Sequence, residues 1–196
     1  MAQQSTGKTE APRLTTAAPV AAGKSPYRPV ATVKNIMETM IDPASDVIFA
    51  AVSSEVTANG ELEKAPKDDN EWAVVRKNAL IMLEGANLLI MPGRHIASDS
   101  DTSTARGSKE VQIELSPAQI EAKVARDRPR WISLAQGLRS AASVALKAAN
   151  AKDTKGLLAA GDRIDTACEN CHLRYWYPDQ TRLLDEAVRL LRQQKQ

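Results

Sequence analysis

The sequence predicts an all-α fold: an antiparallel four-helix bundle with a disordered N-terminal tail and a short C-terminal helix. The first observation is composition, because aromatic residues make up only 4% of the 196 residues, while Ala, Leu, Lys, Glu, Gln and Arg are plentiful. Such residues lose little conformational freedom in a helix. The second observation is periodicity: apolar residues recur at helical spacing in four stretches, and no credible strand separates them.

The N-terminal segment, residues 1–29, is rich in Ala, Thr, Ser, Gln and Pro and shows no periodicity. Such a segment cannot bury enough apolar surface to offset the entropy lost on ordering. We therefore predict a flexible tether at 1–29, a helical domain at 30–177 and an amphipathic extension at 178–196. A membrane anchor at the start of the tether, in the uncut protein, is one option that this segment leaves open.

The first helix is predicted from Val30 to about Ala51, because its apolar residues fall on one stripe. Pro43 interrupts this stripe. It either kinks a single helix, since it lacks a backbone N–H and crowds the preceding turn, or follows Asp42 in capping a second helix. Residues 61–69 are mostly charged and are predicted to form a solvated loop. The stripe consists of Val33, Ile36, Met37, Met40, Ile41, Ala44, Val47, Ile48 and Ala51.

The second and third helices are marked by start and stop signals. The second is predicted to begin near Asp69 and to be stopped by Pro92-Gly93. The third begins at Ser116-Pro117, a favourable N-cap followed by Pro at the first helical position, and Pro129 kinks or splits it. The short turn at 150–153 then predicts an antiparallel neighbour, because so few residues cannot cross the length of a helix.

The fourth helix is predicted from about Asp153 to Tyr175, and Pro178 ends it. A further apolar stripe beyond Pro178 predicts the short amphipathic C-terminal helix, which could cover part of the site or form a subunit contact. Its members are Leu183, Leu184, Ala187, Val188, Leu190 and Leu191.

The charge balance argues against a nucleic-acid partner. There are 26 Lys and Arg residues against 24 Asp and Glu, which gives a formal net charge of +2. A nucleic-acid-binding surface would show a clustered basic face. No apolar run approaches the ~20 residues that cross a bilayer, so we also predict no transmembrane segment.

The chemistry of the chain is concentrated in one segment, Cys168-Glu169-Asn170-Cys171-His172. The chain contains two Cys and two His, and three of these four residues lie within five positions. On a helix, Cys168 and Cys171 project from the same side, as thioether bonds to the two vinyl groups of a haem require. His172 can then turn under the porphyrin as the proximal iron ligand. The sequence therefore predicts one covalently bound haem c, because Cys-x-x-Cys-His is its attachment signature.

Three other interpretations of this segment compete with haem. A zinc site would need two further ligands, for which the chain offers only His95 and carboxylates. A redox-active dithiol usually follows a strand at the start of a helix, whereas this pair lies deep in a predicted helix. A disulfide between Cys168 and Cys171 within one helical turn would be strained.

The predicted haem has a consequence for localisation, because its attachment normally happens after export. Residues 1–23 lack the continuous apolar region of a secretory signal. We therefore expect a periplasmic or otherwise exported bacterial protein whose native leader was replaced by an initiating Met. The alternative is a cytoplasmic protein without haem.

A Cys-x-x-Cys-His near the C-terminal end of a four-helix bundle resembles the class II c-type cytochromes, the cytochrome c-prime family. Tyr175 stands where that family commonly continues Cys-x-x-Cys-His-x-x-Tyr, and Met91-Pro92-Gly93 looks like its turn after the second helix. The resemblance covers about residues 30–177. Trp176 departs from it, because the family often has a basic residue there, although Arg174 is nearby.

The resemblance implies that the first helix faces the distal side of the haem. High-spin members leave the iron open to small gases, whereas low-spin members place a Met there, which raises the reduction potential. Helical spacing puts Met37 at the distal position and Met40 one turn on as a packing residue. Met on an apolar helix face is also common core filling. His95, in a loop after Pro92-Gly93, is a third candidate.

We expect the haem pocket to include Met40, Trp72, Tyr175 and Trp176. The expected function is one-electron transfer through a His/Met-ligated haem, with redox partner proteins of unknown identity and no enzymatic activity. The alternatives are a five-coordinate gas-binding protein of the cytochrome c-prime type and a helical interaction module stabilised by its haem. A homodimer is a further option that the resemblance suggests.

Overall fold

The computed structural model describes residues 27–57, 60–98, 114–180 and 193 of the chain. Within these residues the structure is mostly helical, with one small two-stranded sheet, so the all-α class is confirmed. Most of the predicted tether and most of the C-terminal extension lie outside the described residues. None of the described helices is long and apolar enough to cross a membrane.

The first helical region runs from Val33 to Ala51 in three parts: α1 (Val33–Ile36), a π-helical turn (Met37–Ile41) and α2 (Asp42–Ala51). The backbone N–H of Asp42 donates to the carbonyl of Met37, five residues earlier. Pro43 cannot donate a backbone hydrogen bond, and the wider turn lies directly before it. The region is therefore one interrupted helix, and the alternative in which Asp42 caps a second helix is wrong.

A β-hairpin follows, formed by β1 (Ser53–Thr57) and β2 (Gly60–Lys64). The strands are antiparallel, and Ser53 pairs with Lys64. The prediction of a chain without strands is therefore wrong here. The hairpin lies outside the core: Val56 is 86% exposed and Leu62 is 64% exposed. Because neither face is buried, the strands carry no apolar alternation that the sequence could have revealed.

The remaining helices begin at strong local signals. In α3 (Asp69–Leu89), the carboxylate of Asp68 accepts hydrogen bonds from the first backbone N–H groups. Ser116 and Gln119 form a capping box for α4 (Pro117–Arg126). Pro129 lies at the start of α5 (Arg128–Ala151), so the predicted third helix is split.

The turn between α5 and α6 (Thr154–Tyr175) reverses the chain. Lys152 adopts a left-handed conformation, with φ 53°, and Asp153 caps α6 by accepting from the Gly156 N–H at 2.9 Å. The two helices therefore run antiparallel, as the short turn predicts.

The core lies between the long helices. Helix α5 packs along both α3 and α6, while α2 packs against α3 and touches α6. At one end, Lys152 pairs with Asp69. At the other end, the indole N–H of Trp131 donates to the carbonyl of Leu89 at 3.1 Å. These two contacts show that α3 and α5 are antiparallel, and they define the two ends of the helical domain.

Candidate functional site

The predicted haem-binding residues occupy the last two turns of α6. Cys168, Cys171 and His172 are i, i+3 and i+4 and therefore share one face of the helix. All three side chains are half-buried, and both thiols are free. This placement matches the prediction that the segment lies deep in a helix, with no strand directly before it.

A cavity of about 260 Å³ lies beside the end of α6, where His172 lines it; neither Cys168 nor Cys171 is among its lining residues. Met37, from the π-helical turn, and His172 both line it, so the structure brings the predicted distal and proximal ligands to one cavity. Trp176, after the end of α6, forms another part of the wall. The remaining lining residues are Lys34, Glu38, Asp42, Ile96, Ala97, Glu114, Pro117, Ile120 and Tyr177.

These residues fit a covalently attached haem by their chemistry. Two thiols and an imidazole on one helix face are the groups that form its thioether bonds and bind its iron. Met37, whose side chain carries a thioether, lines the same cavity from a different helix. The cavity opens between α6 and the first helical region. In that region, α2 packs mainly against α3 and makes fewer contacts with α6.

Aromatic residues hold the end of α6 in place. Tyr175 is fully buried, with its ring edge-on to Trp131 at 5.4 Å between centroids. Trp176 stacks on Trp131 at 6.2 Å and meets the His172 ring edge-on at 5.8 Å. Trp176 therefore forms the wall beside His172, whereas Tyr175 lies behind it in the core and does not line the cavity.

The indole N–H of Trp131 makes one hydrogen bond among the described residues, and its contribution to stability can be measured. In Trp131→Phe, the carbonyl of Leu89 loses its donor, so we expect the free energy of unfolding to fall by about 1–3 kcal/mol more than in Trp72→Phe. Trp72 is the matched control, because it is also buried and its indole makes no hydrogen bond to any described residue. Urea unfolding of both variants measures the difference, and equal losses would contradict the contribution of this hydrogen bond.

Met40 and Trp72 are also predicted pocket residues and, like Tyr175, they do not line the cavity. The Cβ of Met40 lies close to Gly85 of α3, and the side chain packs partly buried against the core. Trp72 lies in the first turn of α3, and Leu89, beside Trp131, lies at the other end. These ends are about 25 Å apart along the helix. Trp72 is therefore a core residue at the end of the helical domain that lies away from the cavity.

His95 is also placed away from the cavity. Its imidazole is 73% exposed, and its Nδ1 lies 2.7 Å from Glu121 Oε1 on α4. Its backbone carbonyl accepts from the N–H of Val33 at 2.9 Å. His95 therefore holds the 94–97 segment between α1 and α4, while its neighbours Ile96 and Ala97 form part of the cavity wall.

Burial makes the two thiols weak acids. It raises the pKa of Cys168 to about 11 and that of Cys171 to about 12, and nearby carboxylates add to the rise at Cys168. A redox-active dithiol needs the opposite, a lowered pKa that supplies thiolate at neutral pH. The thiol-exchange interpretation therefore has no support from this site.

The raised thiol pKa values predict slow alkylation of the haem-free chain. A thiol whose pKa is about 11 instead of 9.0 holds about 100-fold less thiolate at neutral pH, and Cys171 should react more slowly still. Iodoacetamide labelling at pH 7.5, mapped to each Cys by mass spectrometry, measures this. Urea-unfolded chain is the control. Equal rates in the folded and unfolded chain would contradict the buried placement.

The cavity also contains residues that sequence reasoning did not single out. Asp42 lines it from the first turn of α2, and Ile96 and Ile120 come from the loop after α3 and from α4. Among the described residues, no group of three or more His, Cys, Asp or Glu side chains is arranged to hold a metal ion.

In comparisons with protein-family models, curated proteins and solved structures, nothing matches this chain.

Proposed function

We propose that this chain is a mono-haem c-type cytochrome that carries one electron at a time through a His/Met-ligated haem. The observation that carries the proposal is the shared cavity: Met37 and His172 both line it, and His172 shares one face of α6 with Cys168 and Cys171. Together these residues have the donor atoms that haem c needs.

We also propose that the first helical region, α3, α5 and α6 form an antiparallel four-helix bundle. Two observations support it. Helix α5 lies between α3 and α6, and α2 makes contact with both α3 and α6. This arrangement would let one helix supply the covalent attachment and another the distal ligand, as in the class II cytochromes that the sequence resembles.

In this proposal each residue has a defined task. Cys168 and Cys171 hold the haem through thioether bonds, and His172 binds its iron through an imidazole nitrogen. The Met37 sulfur provides the sixth ligand, and Trp176 limits the access of water to His172. The bound haem supplies the reversible one-electron couple.

Attachment of such a haem normally follows export, so we place the protein in the bacterial periplasm or an equivalent exported location. Its partners are then redox proteins that exchange single electrons with it. Homodimer formation stays a prediction.

Optical spectra of the protein in both oxidation states test the function. The full chain is produced with an export leader in a bacterium that matures c-type cytochromes. A weak far-red band in the oxidised protein indicates sulfur-to-iron ligation and supports the proposed carrier. A broad high-spin spectrum would favour the gas-binding alternative, and the absence of covalent haem would overturn the proposal. Failure of a small-molecule mediator to reduce and reoxidise the haem would favour the interaction module.

A further inference from the structure

Asp42 directly follows the π-helical turn and is one of three carboxylates that line the cavity, together with Glu38 and Glu114. Its backbone N–H donates to the Met37 carbonyl across this turn, so the position of Asp42 is tied to that of the candidate distal ligand. Its side chain is exposed to solvent on one side, yet it lines the same cavity as Met37 and His172.

The Asp42 carboxylate lies near other carboxylates. Partial burial raises the pKa of Asp42, and the like charges of Asp46 and Glu38 raise it further. Lys34, which also lines the cavity, lies 3.8 Å from Glu38. Among the described residues, none forms a hydrogen bond or an ion pair with the Asp42 carboxylate.

The same carboxylate also acts on the haem-attachment face of α6. After burial, Asp42 is the largest cause of the raised pKa of Cys168, ahead of Asp165 and Glu169 on the same helix as the thiol. The geometry agrees with this, because α2 contacts α6, and Asp42 and His172 line the same cavity.

We propose that Asp42 sets the reduction potential of the haem, because its carboxylate, at the cavity that His172 and Met37 share, stabilises the ferric state. This inference rests on the proposed function. A fixed negative charge near the iron favours the oxidation state with one more positive charge. The effect is strengthened where protein has replaced part of the water around the charge. Asp42 acts through space and is not a ligand.

The test compares Asp42→Asn with Asp46→Asn. Both substitutions remove one negative charge from the same helix, one turn apart, and Asp46 does not line the cavity. In spectroelectrochemical titrations at pH 7.5, we expect Asp42→Asn to raise the ferrous-to-ferric ratio at fixed applied potential about tenfold, or about 59 mV for one electron. Asp46→Asn should change the ratio by less than threefold, and Asp42→Glu should restore most of the wild-type value. Equal shifts in the two Asn variants, or no shift in Asp42→Asn, would overturn the inference.

A second measurement separates this inference from the proposed function. In the haem-free full chain, loss of the Asp42 charge should lower the pKa of the Cys168 thiol and speed its labelling by iodoacetamide, whereas Asp46→Asn should leave the rate near that of the wild type. If covalent haem is absent from the wild-type protein, the proposed function fails. The labelling rate still tests whether the charge of Asp42 acts on the Cys168 thiol. If haem is present and neither measurement responds to Asp42→Asn, only the role of Asp42 fails.

Discussion

Replacement of both Cys168 and Cys171 by Ser is expected to abolish covalent haem attachment. Each thioether bond requires a sulfur, and the two thiols share one face of α6 with His172, which lines the cavity. Ser keeps nearly the same shape and removes only the bonding atom, so the fold should be retained. Intact-mass spectrometry of the denatured protein measures the effect: the wild-type chain carries the mass of one haem, and the double variant carries none.

The single variants are the controls for this result. Cys168→Ser and Cys171→Ser each keep one thiol, so each should retain one thioether and one unreacted vinyl group. The absorption band of the reduced haem in alkaline pyridine should then move to longer wavelength than in the wild type. A double variant that still carries haem after denaturation would contradict the assignment of both cysteines. Circular dichroism confirms whether the helices are retained.

The helix boundaries were predictable where local signals set them. Predicted starts near Asp69 and Asp153 agree with α3 and α6, because the carboxylates of Asp68 and Asp153 satisfy the first free N–H groups. The hairpin was not predicted, since both its strands are exposed and leave no apolar pattern. Its one signal in the sequence was Asn59-Gly60, a common hairpin turn.

The candidate site was predictable only within one helix. Cys168, Cys171 and His172 share a face because of their spacing, which no tertiary contact can change. The opposite walls of the cavity come from segments far away in the sequence, such as Ile96 and Ile120, and depend on how α4 packs. The spacing of residues along the sequence does not predict how α4 packs against the other helices.

Trp72 and Asp42 show two different limits of the sequence reasoning. Trp72 is buried, as its helical stripe predicts, but counting turns along antiparallel helices would have placed it at the far end. Asp42 was considered only as a cap for a second helix. Its position at the cavity follows from the π-helical turn, and the sequence left open how the helix would accommodate Pro43.

Replacement of Met37 by Ala is expected to convert the haem iron from low spin to high spin. Met37 is the sulfur-bearing residue that lines the cavity with His172, and Ala cannot bind iron. The far-red band of the oxidised protein should disappear, and the reduction potential should fall because a thioether ligand favours the ferrous state. Optical and electron paramagnetic resonance spectra of the oxidised protein measure the change.

Met40→Ala is the matched control, because it removes the same side chain one turn away. Met40 packs towards α3 beside Gly85, so its loss should lower stability and leave the spectrum low-spin. If Met40→Ala removes the far-red band and Met37→Ala does not, the π-helical turn must present the other sulfur when haem is bound. If neither variant changes the spectrum, the ligand lies elsewhere, and His95 would have to leave Glu121 to reach the iron. An iron that is high-spin in the wild type would instead leave Met37 as the wall of an open gas-binding site.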